Sequence, residues 1–165
     1  MAGESTELKD HPIIRYTGMF DYDALYNSIL GWYKAKGFAR HEKKYVHKGK
    51  ELEFEWYGFK EVTKYVRYEI TVEMFVWEFG KLEAIVDGQK KIMNKGRLQL
   101  VIKGKYILDY KGQWETGGFV KFLRDIYHKY LIQTYIIFEV HTPLYKLLYD
   151  FYDTIRKVLG MENIK

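Results

Sequence analysis

The chain of 165 residues has no cysteine, two prolines and no long apolar run. Without cysteine there is no disulfide framework and no thiolate metal site, which points to a reducing compartment. Its longest apolar stretches, such as Tyr135–Phe138, fall far short of the roughly 20 residues that a bilayer span needs. Met1–Asp10 is polar and mixed in charge, unlike a signal peptide with its apolar centre. The expectation is a soluble, cytoplasmic protein with no transmembrane segment. There is no linker, internal repeat or low-complexity segment. The expected organisation is a flexible N-terminal segment over 1–12, one α+β domain over 13–160, and a tail over 161–165. Also missing are a serine nucleophile elbow, a phosphate-binding loop and a glycine-rich dinucleotide fingerprint, so nothing marks an enzyme or a cofactor.

What is present is period-two alternation. From Val66 the even positions read Val66, Tyr68, Ile70, Val72, Met74 and Val76, and the odd ones Arg67, Glu69, Thr71, Glu73, Phe75 and Trp77. Successive strand side chains point to opposite faces, so this is a sheet with one buried and one wet face. Strands are expected over Ile13–Phe20, Phe38–Lys48, Glu51–Glu61, Tyr65–Phe79, Gly80–Val86, Lys90–Asn94 and Arg97–Tyr110. Turns are read at Gly49, Asp87-Gly88 and Lys95-Gly96. Leu52, Phe54, Trp56 and Gly58 share one face of their strand. Gly104, alone inside a strand, suggests a bulge.

Two helices are signalled most clearly. Asp21 caps the first, with Leu25, Ile29 and Trp32 on one face and Gly37 just past its end. Thr142 is expected to cap the last, with Pro143 in its first turn and Gly160 stopping it. Leu144, Leu147, Leu148, Phe151, Ile155 and Val158 form its apolar stripe. A further helix is expected over Phe119–Tyr130, and Leu131–Val140 is read as its continuation. The fold class is therefore α+β, a curved antiparallel sheet of about six to seven strands packed on a long C-terminal helix.

This order of elements resembles the START-like, or helix-grip, fold over most of the chain. The resemblance implies an apolar ligand held between the sheet and the terminal helix. The run from Phe20 to Gly37 and the segment Asp109-Tyr110…Trp114-Glu115 also resemble small uncharacterised archaeal proteins, a likeness that brings no function with it.

Net charge is +5 and is segregated along the chain. Lys34–Lys50 and Lys90–Lys111 each hold seven basic residues against one acidic, while Glu51–Gln89 holds nine acidic against four basic. Basic segments of this kind form a phosphate-binding face when they converge in space, and are solubilising strand exteriors when they do not. The leading reading is a non-catalytic binding protein that holds an apolar or aromatic small molecule, or a protein partner, including a second copy of itself. Trp56, Tyr68, Tyr106 and Phe151 are the candidate pocket residues. Tyr57, Phe59, Phe75 and Trp77, of opposite parity, ask for a separate partner unless a bulge near Gly58 reverses them. The alternative is single-stranded nucleic acid, with Arg40, Lys43 and Lys44 on phosphates and Tyr45 stacking on bases.

A third reading is a metal-dependent enzyme acting on phosphate compounds. Glu51, Glu53, Glu55, Glu69 and Glu73 would hold the ion, with Arg67, Lys103 and Lys105 on the phosphates. The Glu-x-Glu-x-Glu spacing resembles that of triphosphate tunnel enzymes, which carry a basic residue where this chain has Glu55. His41 and His47 share parity but lie about 20 Å apart along a strand, too far to share one ion.

Overall fold

A computed structural model describes residues 3–112 and 135–161 of the chain. Six strands form one antiparallel sheet: β1 (Glu4–Glu7), β2 (Ile13–Phe20), β3 (Ala39–Lys48), β4 (Glu51–Glu61), β5 (Val66–Val86) and β6 (Gln89–Leu108). Two α-helices accompany it, α1 (Tyr22–Ala35) and the C-terminal α2 (Thr142–Val158), which a π-helical turn over Ile136–His141 introduces. Across the sheet the order is β1-β6-β5-β4-β3, and β2 lies beside β1 on the same edge of β6.

The alternation from Val66 onward does what its period requires. Val66, Ile70, Val72, Met74 and Val76 are buried, and Leu98, Leu100 and Ile102 join them from β6. Helix α1 lies against this inner face through Tyr33, whose hydroxyl donates to the Ile70 carbonyl at 3.0 Å. Helix α2 reaches β6 through Leu148, which fills the space beside Gly104. The helices meet at Trp32 and Phe151, whose rings stack at 4.1 Å with 1° between their planes. The Trp32 indole N–H donates to Asp150 Oδ2 at 2.7 Å, and Lys36 approaches the same oxygen at 3.2 Å. Those contacts, the Trp32 bond first, hold the Asp150 carboxyl below its ordinary pKa against the effect of burial.

Asp21 caps α1 as expected, accepting from the Ala24 amide at 3.0 Å, and Gly160 follows α2 with φ +70°. Several boundaries differ from expectation. Residues 4–7, expected to lie outside the domain, form a strand on β6. The four runs expected over 65–110 are two long strands, because Lys95-Gly96 is paired backbone within β6 and Gly80 continues β5 after a bulge at Trp77–Gly80. Their shared turn at Asp87-Gly88 has φ +52° and +78°, the left-handed pair that matches strand twist. Thr142 is helical and not a cap; its hydroxyl donates to the Ile137 carbonyl at 2.7 Å, within a helix that the π-turn has already begun. Gly104 sits in regular register opposite Ile70, so it marks close helix packing and not a bulge. The helix expected over Phe119–Tyr130 and the first part of Leu131–Val140 lie outside the described residues.

The register through Gly58 is unbroken, so the parity of β4 stands as read. A bulge does occur in β3, between Glu42 and Lys44. It puts His41 on the outer face, stacked on Phe59, and His47 on the inner side against Phe79, so the two histidines do not share a face. This free edge strand is rich in lysine and interrupted by the bulge, which hinders edge-to-edge association.

Gly58 gives the sharpest packing test. A Cβ there would stand 2.4 Å from Tyr33 Cε1, and Tyr33 is buried and hydrogen-bonded. Overpacking of this kind costs about 1–3 kcal/mol. Gly58→Ala is expected to lower the urea midpoint accordingly at an unchanged slope; an unmoved midpoint would mean that Tyr33 yields freely.

Candidate functional site

The outer face of the sheet carries the side chains that the core does not use, and its charges are mostly spent on each other. Lys44 meets Glu53 at 2.7 Å, Lys43 meets Glu55 at 3.3 Å, Lys103 meets Glu73 at 2.9 Å and Lys105 meets Glu69 at 2.7 Å. The strand order explains this pattern. Basic β3 borders acidic β4, and acidic β5 borders basic β6, so each carboxylate faces an ammonium across one strand gap. Along most of this face the two basic stretches of the sequence are thereby separated by two strands, about 14 Å, and they come together where Lys50 and Lys95 line one cleft at the end of the sheet.

At one end of this face the aromatic side chains are covered by the protein's own cations. Arg67 lies 4.1 Å over Phe59, with His41 stacked on the same ring, and Lys43 lies 5.0 Å from the Tyr57 ring. Arg67 also donates to the Tyr57 hydroxyl at 2.9 Å and meets Glu69 at 3.3 Å. Glu69 is the one buried carboxylate of the group. Burial alone would raise its pKa, but hydrogen bonds from Lys105 and Tyr57 and the charges of Lys105 and Arg67 together outweigh it, so its pKa lies below the ordinary value. Tyr57 moves the other way, to about 12, through burial and its bond to Glu69.

The opposite end is built differently. Phe75 and Trp77 stand two residues apart on β5, their rings near-parallel at 16° with centroids 6.1 Å apart. Each heads a row across the sheet. In one row Arg15 of β2 pairs with Gln99 of β6, which pairs with Phe75. In the next, Thr17 pairs with Arg97, which pairs with Trp77. Arg15 Nε donates weakly to Gln99 at 3.4 Å, and the Arg97 guanidinium lies 6.0 Å from the Trp77 ring centre.

Two shallow clefts meet at Trp77 and a third adjoins them at Thr17. One of about 320 Å³ lies between Arg15, Trp77 and Arg97, and one of about 160 Å³ between Lys48, Glu51, Glu53, Phe75 and Trp77. The third, about 480 Å³, lies between Lys50, Phe79 and Lys95. The bulge creates this relief. Glu78 adopts φ +57°, a conformation that costs a side chain about 1–3 kcal/mol and that recurs where backbone is shaped for function. Glu78 holds Arg97 only loosely, at 3.6 Å. Lys48, Lys50 and Lys95 have no ion-pair partner among the described residues. Among the described residues of this face, unpaired cations and half-buried rings thus gather at this end.

The residues singled out from sequence fall elsewhere. Trp56, Tyr68, Tyr106 and Phe151 are all on the inner side and buried. Tyr68 and Tyr106 are cross-strand partners, and the Tyr68 hydroxyl donates to the Val140 carbonyl at 2.8 Å. Trp56 stacks on Phe54 and abuts Tyr26, while Phe151 is taken up by Trp32 and Tyr33. Core packing accounts for all four rings, although the Trp56 indole N–H meets no acceptor among the described residues. On β3, Arg40 donates to the Leu30 carbonyl at 2.9 Å, Lys43 and Lys44 hold Glu55 and Glu53, and Tyr45 packs at 4.5 Å on Phe54. Of the carboxylates in the metal reading, Glu53, Glu55, Glu69 and Glu73 each face a lysine, and no group of three potential ligands converges among the described residues.

Phe75 and Trp77 were visible in the sequence as aromatics of outward parity. Arg15, Arg97, Lys50 and Lys95 were not, because they come from three segments that only the strand pairing brings to those rings. No helix among the described residues is long and apolar enough to cross a membrane. Comparison with protein-family models, curated proteins and solved structures finds no match.

Glu69 supplies the pH test of this face. A carboxyl with a lowered folded pKa contributes stability that is full above its unfolded value, near 4.5, and is lost as pH falls through the folded one. Glu69→Gln is expected to destabilise the protein by roughly 1–3 kcal/mol at pH 7, where it leaves Lys105 and Arg67 facing a neutral amide. The gap should be narrower at pH 3 than at pH 7. Urea midpoints of both proteins at the two pH values check this; an equal gap at both would mean that packing and not charge is at stake.

Proposed function

We propose that the protein is a non-catalytic binding protein whose ligand is planar, aromatic and negatively charged, and lies on the Phe75–Trp77 end of the outer face. The observation that carries the reading is the juxtaposition at Trp77. A half-buried indole there stands beside a guanidinium at 6.0 Å, and the adjoining clefts hold Arg15, Lys50 and Lys95, which have no ion-pair partner among the described residues. A ring stacked on Trp77 or Phe75 gains apolar contact, and its anionic group meets Arg15, Arg97 or Lys95. The START-like resemblance would instead put the ligand between sheet and α2. The filling of that layer by Trp56, Tyr68, Tyr106 and Phe151 favours the outer face.

Anilinonaphthalene sulfonate is a suitable probe, being planar, aromatic and anionic. Its fluorescence should rise saturably with the native protein, and Trp77→Ala or Arg97→Ala should each weaken binding by on the order of tenfold, consistent with about 1–2 kcal/mol for a stacking or cation contact. Circular dichroism of both variants should be unchanged, since neither side chain belongs to the core. Undiminished binding by a folded Trp77→Ala protein would move the site elsewhere.

A further inference from the structure

The Trp77 end has the layout of a track and not of a pocket, and this bears on how large its ligand is. Phe75 and Trp77 are two platforms in series, set by strand geometry about 6.7 Å apart along β5 and facing the same way. The clefts on either side are open and run on from one another, from Val46 and Lys48 past Trp77 to Thr17, Lys50 and Lys95. The cations are spread along that line, Lys48 before the rings, Arg15 and Arg97 beside them and Lys50 and Lys95 beyond, with Glu51, Glu53 and Glu78 interspersed. A single small anion would be served by two of them. A chain of phosphates uses all five.

We propose that this end of the sheet binds single-stranded nucleic acid, with successive unpaired bases stacked on Phe75 and Trp77 and the backbone phosphates held by the flanking arginines and lysines. The proposal rests on the ligand reading above and narrows it to one class. Stacking on side chains that stand up from a sheet needs bases free of a partner strand, which separates this ligand from a duplex. The rings accept any base, and no set of side chains here is arranged to read base edges, so binding is expected to be tolerant of sequence. The polyanion requirement is local. The rest of the face is neutralised by its own ion pairs, and the basic strand β3 spends Lys43 and Lys44 on Glu55 and Glu53.

The test is fluorescence anisotropy with end-labelled oligothymidylate of about twelve nucleotides, in 50–300 mM salt. The expected result is binding whose logarithm falls linearly with the logarithm of salt, with a slope of about −3 for four to five phosphate contacts. Trp77→Ala should weaken binding by on the order of tenfold with little change of slope. Arg97→Ala and Lys95→Ala should each make the slope shallower by about 0.7. Lys43→Ala, on β3 beside Tyr57 and Glu55 and away from these clefts, should leave both affinity and slope unaltered. A duplex of the same sequence and poly-glutamate should compete poorly.

Three outcomes would overturn the proposal. Loss of binding in Lys43→Ala but not in Trp77→Ala would transfer the site to β3. Equal competition by duplex or poly-glutamate would reduce the surface to a general polyanion site. Displacement of anilinonaphthalene sulfonate by thymidine monophosphate as effectively as by the oligomer, nucleotide for nucleotide, would leave a small-molecule site. In that last case the ligand reading survives. It falls separately if the sulfonate probe does not depend on Trp77.

Discussion

The contact on which the architecture turns is the stack of Trp32 on Phe151. One apolar sheet face is covered by two helices that come from opposite ends of the chain, and neither is wide enough to cover it alone. α1 approaches β4 and β5 through Tyr33, and α2 approaches β6 through Leu148. The aromatic stack closes the seam between them, and the Trp32–Asp150 bond, reinforced by Lys36, fixes its angle. Two glycines make this close seating possible, Gly58 under Tyr33 and Gly104 under Leu148. Among the described residues the space between these helices and the sheet is filled by packed side chains.

On that other face the strand order decides the electrostatics. Placing acidic β4 and β5 between basic β3 and β6 converts a strongly segregated sequence into a surface of alternating, mutually satisfied charges. Individual pairs of this exposed kind contribute little to stability, up to about 1 kcal/mol each. Their larger effect is on specificity, because they remove most of the face from competition for anions. Around the bulge at Trp77–Gly80, where the ladder is irregular, this pairing loosens: Glu78 holds Arg97 at 3.6 Å, and Arg15, Lys50 and Lys95 stand near half-buried rings with no ion-pair partner among the described residues.

Much of this was legible in the sequence, and the limits have physical causes. The alternation over Val66–Val76 gave the correct buried face because period two depends only on local geometry. The Asp21 cap and the glycine after α2 are likewise local signals. Bulges are not local in this sense. Nothing in the residues at Glu42–Lys44 or Trp77–Gly80 announces an extra residue, yet one bulge separated His41 from His47 and the other joined two expected strands into one. Thr142-Pro143 looks like a helix start in sequence and becomes helix interior because the π-turn already supplies the preceding turn. The binding end was half visible. Its rings follow from parity, whereas its cations depend on the pairing of β2 with β6 across about eighty residues, which no spacing rule supplies.

That long-range pairing also orders events in time. β5 and β6 are adjacent in sequence and share a tight turn whose two residues already favour the left-handed conformation, so their ladder can zip from Asp87-Gly88 without closing a large loop. β1 and β2 must instead return from the start of the chain to the far edge of β6, and the entropy of closing that loop is met only after β6 exists as a template. Phe75, Trp77 and Arg97 are therefore in place early, while Arg15 and Thr17 arrive with the last strand to dock. The arginine row beside the rings is complete only once β2 has docked, so the maturation of the surface coincides with the completion of the fold.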